Sequence, residues 1–249
     1  MKAISSLAVL LGLLSSLALT SQAQAPSTVG RWQVEFTFTS ETSPHRLKFE
    51  ADGSGKGTYL LLDRRSSILE PAQPTKAEWS QTVDNKVRLS GDIEFPIGNV
   101  GRDAGTLVFN GTFENADLIS GEVTFVNEAR GAGATRTGTF KAVRVVEDTP
   151  PRVELLSPTS GKLKRGREVD VTWLATSSNG IAFQQVFLSL DDGETFSPIS
   201  VVMNDQTSEL AWIVPQDLPT TKKARLKVVV LSGIGVTAED SSDGRLKVR

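Results

Sequence analysis

Two counts limit the chemistry open to this chain: it has one histidine and no cysteine. A Ser–His–carboxylate triad would have to use His45, in "SETSPHR", and no G-x-S-x-G elbow accompanies it. A three-histidine metal site is ruled out by number, and no histidine and carboxylate group has ligand spacing. A lone histidine in a polar stretch reads as a solvated loop side chain. Paired carboxylates remain, and a glycosidase needs two of them roughly 5–9.5 Å apart across a cleft. Glu35, Glu78, Asp92 and Glu94 alternate with apolar residues and are therefore expected to point outward into water. The densest acidic group is in "SLDDGETF", Ser189 to Phe196. Calcium takes six to eight oxygens, and the EF-hand spacing around Asp191, Asp192 and Glu194 is missing. The chain thus reads as non-catalytic, with no metal and no cofactor; a glycan-active hydrolase is the enzymatic alternative.

The elements that would position any site are short alternating strands, without helical periodicity longer than two turns. "RWQVEFTF" places Trp32, Val34, Phe36 and Phe38 on one face with strict period two. "RLKFEA", "GTYLLL", "AEWSQTV", "KVRLSGDIEF", "GTLVFNGTF", "LISGEVTFV" and "TGTFKAVRV" follow, joined by hairpin turns such as Asp52-Gly53 and Asp84-Asn85. Eight consecutive strands predict an antiparallel up-and-down barrel or a meander, and closure removes exposed edges. After Pro150-Pro151, where a central strand cannot cross, seven more strands follow in about 100 residues, as in a β-sandwich. The fold class is therefore all-β, with domains at 24–149 and 150–249.

Two stretches carry resemblances to known families. Gly30-Arg31-Trp32 on the first strand resembles the G-x-W opening of the calycin group, the lipocalins and avidins. That resemblance implies a tryptophan plugging one end of the barrel and a basic residue of the last strand, here Arg144, packing across it. It also implies a cavity for a small apolar ligand. Candidate contacts are Phe36, Tyr59 and Trp79 inside, with Ile68 and Leu69 of the long connection 63–76 at a mouth. Against a cavity, Phe36, Phe38, Phe49, Trp79, Phe95, Phe109, Phe113, Phe125 and Phe140 are all expected inside, and an eight-stranded barrel is only just wide enough for its own side chains. Residues 151–249 resemble a bacterial Ig-like or fibronectin type III-like module, a spacer or adhesive unit, with Trp173, "LAWIVP" and "ARLKVVV" as its recurring features. Within it "SLDDGETF" resembles the Asp-box of sialidases. That implies a hairpin in which Asp191 accepts turn amides, Gly193 supplies positive φ and Phe196 packs beneath, with no sugar cleavage.

The start of the chain, with Lys2, an apolar run from Leu7 to Leu19 and small residues near Ala23, reads as a secretory signal peptide over 1–23 cleaved after Ala23. Its loss moves the formal net charge from −2 to −3, and neither half is basic enough for a nucleic-acid binder. No later apolar run approaches membrane-spanning length. Absence of cysteine in an exported chain suggests a bacterial source. The expectation is a secreted or periplasmic binding protein. Its barrel would take a small apolar ligand, or an envelope protein or glycan partner, and its second module would serve as spacer. A purely structural envelope protein is the alternative.

Overall fold

In the computed structural model, the described residues are 26–63, 73–97, 101–127, 135–145, 149–204 and 207–249. Ile68 and Leu69 lie outside them, as does the stretch 1–23 expected as a signal peptide. The first eight strands are β1 (Gly30–Phe38), β2 (His45–Ala51), β3 (Lys56–Leu61), β4 (Thr75–Gln81), β5 (Lys86–Ile97), β6 (Gly101–Asn115), β7 (Leu118–Asn127) and β8 (Thr135–Arg144). Each pairs antiparallel with the next and β8 returns to β1, giving a closed barrel. The alternation in the sequence becomes an inside and an outside: Trp32, Val34, Phe36 and Phe38 are all buried, while Glu35, Glu78, Asp92 and Glu94 are exposed. One cluster fills the interior, containing Trp32, Phe36, Phe38, Phe49, Tyr59, Phe95, Phe109, Phe113, Phe125 and Phe140, with half-buried Trp79 against it. Their rings meet mostly edge to face, the arrangement their quadrupoles favour: Phe109 lies 4.9 Å from Phe140 and 5.4 Å from Phe36.

Such large side chains fit because glycines stand where rings or strands come close. A Cβ on Gly91 would meet the Tyr59 ring at 2.9 Å, and one on Gly138 would meet the Thr37 carbonyl oxygen at 2.0 Å.

The second half comprises β9 (Arg152–Ser157), β10 (Gly161–Leu163), β11 (Glu168–Thr176), β12 (Ile181–Ser189), β13 (Ser197–Pro198), β14 (Glu209–Ile213), β15 (Thr221–Ser232), β16 (Thr237–Ser241) and β17 (Leu246–Val248). They form a sheet in the order β14-β11-β9 and another in the order β10-β17-β15-β12-β13, with β16 on β15. The two sheets enclose Trp173, Val186, Trp212, Leu226, Val228 and Leu246, as in a sandwich. Seven of these strands fall where the sequence places them, although β13 is only the exposed pair Ser197-Pro198 and has no apolar alternation. β10 and β16 are additions: the first has three residues, and the second, "TAEDS", is mostly polar and held by backbone pairing to β15. Trp173 donates its indole N–H to Gln184 Oε1 at 2.7 Å, and Gln184 passes its own N–H groups to the carbonyls of Asn204 and Thr207, so this buried amide is satisfied.

The two halves touch. The turn after β15 reaches the outer face of β1–β3, where Gly233 abuts Gln33 and Gly235 abuts Leu60 and Leu62. Arg46 donates to the Ala182 carbonyl at 3.3 Å and lies over the Phe183 ring at 6.0 Å. Leu62 and Ile234 are buried.

Candidate functional site

The barrel has two unlike ends. At one, the connections β2–β3, β4–β5 and β6–β7 are tight turns at 52–55, 82–85 and 116–117. At the other, three of the four connections are longer, at 39–44, 62–74 and 128–134, and the fourth is the short 98–100.

The tight end is plugged. Trp32 is fully buried and donates its indole N–H to the Thr28 carbonyl at 2.8 Å. Arg144, its register partner on β8, lies over the indole with its guanidinium carbon 4.2 Å from the ring centroid. The same guanidinium donates to the carbonyls of Ala116, Val29 and Ser27, so it ties the β6–β7 turn to the strand entering the barrel. Gly30 has φ +126°, and a Cβ there would come within 2.8 Å of Arg144 Nη1. The backbone conformation thus favours glycine here, and a side chain would also push the guanidinium aside. Trp79 is also at this end, donating to the carbonyls of Asp52 and Lys56 in the β2–β3 turn.

The opposite end, the mouth, carries an ordered charged layer that the sequence did not announce. His45, expected as a solvated loop residue, is instead the first residue of β2, with only 19% of its side chain exposed. Its ring stacks on Phe36 at 5.1 Å and meets Phe38 and Phe95 edge-on or tilted. Nδ1 bonds the Asp63 carboxylate, and Nε2 bonds Glu41 Oε2 at 2.5 Å. Glu41 in turn accepts from Arg136 of β8 at 2.9 Å. Arg136 reaches Asp103 of β6 at 3.1 Å, and Asp103 also accepts from the Asn127 amide. The Arg136 guanidinium sits over Phe38 and Phe125 at 4.6 Å and Phe95 at 5.1 Å. Burial alone would lower the imidazole pKa. The hydrogen bonds and charges of Asp63 and Glu41 outweigh it and hold His45 above its ordinary 6.5.

The layer is assembled from five strands or their ends, so no local spacing in the sequence marks it. A hint existed in the phase of β2: His45 shares its inward parity with Leu47 and Phe49.

Chemically, both ring nitrogens of His45 are engaged by carboxylates, and no hydroxyl nucleophile bonds to it among the described residues. The two carboxylates lie on opposite sides of the ring and do not converge. No group of three His, Cys, Asp or Glu among the described residues is arranged for a metal.

Of the expected ligand contacts, Phe36 lies directly under the charged layer, and Phe36 and Tyr59 both pack on Phe109. Trp79 is at the far end. Tyr59 is fully buried, and burial pushes its phenol well above the ordinary range, with the charge of Arg88 opposing weakly. Its hydroxyl and that of Thr75 have no hydrogen-bond partner among the described residues. A shallow groove of about 320 Å³ crosses the outside of β4–β7, lined by Arg88, Asn110, Thr112, Ser120 and Glu122 among others, and holds none of these contacts.

In "SLDDGETF", Asp191 accepts from the Thr195 amide at 2.9 Å, the Thr195 hydroxyl at 2.5 Å and the Ser189 hydroxyl at 2.6 Å. Gly193 has φ +96°, and Phe196 lies beneath it with Lys227 over its ring at 4.1 Å. Asp192 is taken by Arg225 and Arg245. Every Asp oxygen here closes the hairpin or pairs with arginine.

Among the described residues no helix is long and apolar enough to cross a membrane. Compared with protein-family models and with curated proteins, the chain matches none.

Proposed function

We propose that this is a secreted, non-catalytic binding protein whose barrel engages an envelope protein or glycan partner at its mouth, the Ig-like second half serving as spacer or adhesive unit. The observation that carries this reading is the asymmetry of the barrel. A plugged end with tight turns faces a rim at which three of four connections are longer, around an ordered polar layer, and binding on rigid scaffolds concentrates in such connections. The aromatic interior favours a partner at the rim over an apolar ligand deep inside, because ten rings already occupy the barrel. The closed network around His45 supports binding over catalysis. The Trp32–Arg144 plug supports kinship with the calycin group, and the Trp173 core and the Asp191 hairpin support an Ig-like module.

The test places a photo-crosslinking amino acid at exposed Ser43, on the mouth, and another at exposed Val83, at the plugged end, in the chain secreted by its own host. Crosslinked adducts are expected from Ser43 alone. Equal adducts at both positions, or none at Ser43, refute the mouth as the engaging surface. Native mass spectrometry of the purified chain is expected to show the bare polypeptide mass. A stoichiometric apolar adduct would make the barrel a ligand carrier instead.

A further inference from the structure

We propose that His45 is a proton-operated clasp on the barrel mouth: as an imidazolium it ties Glu41, in the β1–β2 connection, to Asp63, behind β3, and on losing its ring proton it releases one of them and loosens that rim. The geometry requires two donors. An imidazolium has two N–H groups, one for each carboxylate; neutral imidazole has one N–H and one lone pair, and the lone pair cannot bond a carboxylate. Both bonds seen at His45 are therefore made only by the charged ring.

The surroundings favour that charge. The groups facing the ring are Glu41 from its own connection and Asp63 from behind β3. Arg136 of β8 lies beyond Glu41, and Asp103 of β6 beyond Arg136. Three carboxylates thus face one guanidinium, and the imidazolium supplies the second positive charge. The remaining neighbours, Phe36, Phe38 and Phe95, cannot replace a lost donor. Arg46 is turned outward to Glu35 and the second domain.

Release would be felt beyond the ring. The other oxygen of Asp63 accepts the Arg46 backbone amide at 2.9 Å, and the next amide, Leu62, bonds back to the Arg46 carbonyl. Arg46 also carries the contact to Ala182, so the clasp sits one residue from the seam between the halves. Because the folded-state pKa is raised, the clasp is fully closed below the unfolded value of about 6.5 and opens as the pH rises through the folded value. The inference concerns the rim itself and stands whatever engages it.

His45 is the only histidine, so its ring signal is unambiguous in the full mature chain. The experiment titrates that signal by NMR from pH 5 to 9 and follows amide exchange over the same range, corrected for the intrinsic pH dependence. The ring is expected to titrate above 6.5. Exchange of the Arg46 amide, if Asp63 is the one released, or of the Glu41 amide bonded to the Phe38 carbonyl, if Glu41 is, should rise on the order of tenfold through that titration, as for loss of one charged hydrogen bond. The Trp79 amide, bonded to the Gly55 carbonyl at the plugged end, should not follow it. Glu41→Gln keeps an acceptor and removes the charge, and should bring the midpoint down. A ring that titrates at or below 6.5, or exchange of both the Arg46 and the Glu41 amides that ignores the titration, overturns the proposal; both are read in the wild-type chain and need no variant to fold.

Discussion

Phe109→Ala tests whether the barrel interior is solid. Phe109 is fully buried at the middle of β6, with Phe36 at 5.4 Å, Tyr59 at 5.9 Å and Phe140 at 4.9 Å. Truncating a buried phenylalanine costs about 3–5 kcal/mol through lost transfer energy and the cavity left behind. Three edge-to-face partners place this site in the upper half of that range, at about 4 kcal/mol. The whole stability of a domain is about 5–15 kcal/mol, so the variant barrel stays folded with little margin. With a urea m-value of about 2 kcal/mol/M, the midpoint falls by about 2 M. The assay is equilibrium unfolding followed by the NMR amides of Leu107 and Val123, which report the barrel and not the sandwich. The new cavity is apolar and should bind benzene, as dry engineered cavities do, and the wild-type chain should not. A cost below about 1.5 kcal/mol, or benzene bound equally by the wild type, refutes a filled interior.

Other outcomes follow from the same geometry. Arg144→Ala removes the guanidinium from Trp32 and frees the carbonyls of Val29 and Ala116. It should cost about 2 kcal/mol, and Arg144→Lys should not restore this, because an ammonium lacks the planar fork that meets ring and carbonyls together; thermal melts of the three proteins decide it. Gly138→Ala drives a methyl to within 2.0 Å of the Thr37 carbonyl and should cost about 3 kcal/mol or more, whereas Gly53→Ala meets nothing within 4 Å and should change stability little; urea midpoints separate them. The Ser189 hydroxyl, then the Thr195 hydroxyl and amide, hold Asp191 down at about 2. Its contribution is present above the unfolded carboxylate value of about 3.9 and is lost as the pH falls through about 2. The urea midpoint of the second half should therefore fall more steeply from pH 4.5 to 2.5 in the wild type than in Asp191→Asn, and equal slopes would refute the hairpin role.

Much of the scaffold was legible because β-structure writes itself locally. Period-two alternation named the inward face of β1 and the inward rings of other barrel strands, and Asp52-Gly53 and Asp84-Asn85 marked two of the turns. The Asp191 hairpin was legible for the same reason, since its bonds run between residues at most four apart. β16 was missed because backbone pairing holds it in place, with no apolar face to betray it. His45 was misread because its partners come from four other places in the chain: Glu41 four residues before it, Asp63 eighteen after, and Arg136 and Asp103 through the network.

By itself, then, the sequence determined which side chains face inward, where the strands turn, and that histidine and thiolate chemistry is restricted to a single imidazole. Only the tertiary structure decided that the interior rings interlock and that five charged groups from distant strands close into one layer over them. The physical reason is range. Alternation and turn geometry act over two to four residues, whereas a charge network forms wherever barrel closure brings strand ends together, and closure is a property of all eight strands at once.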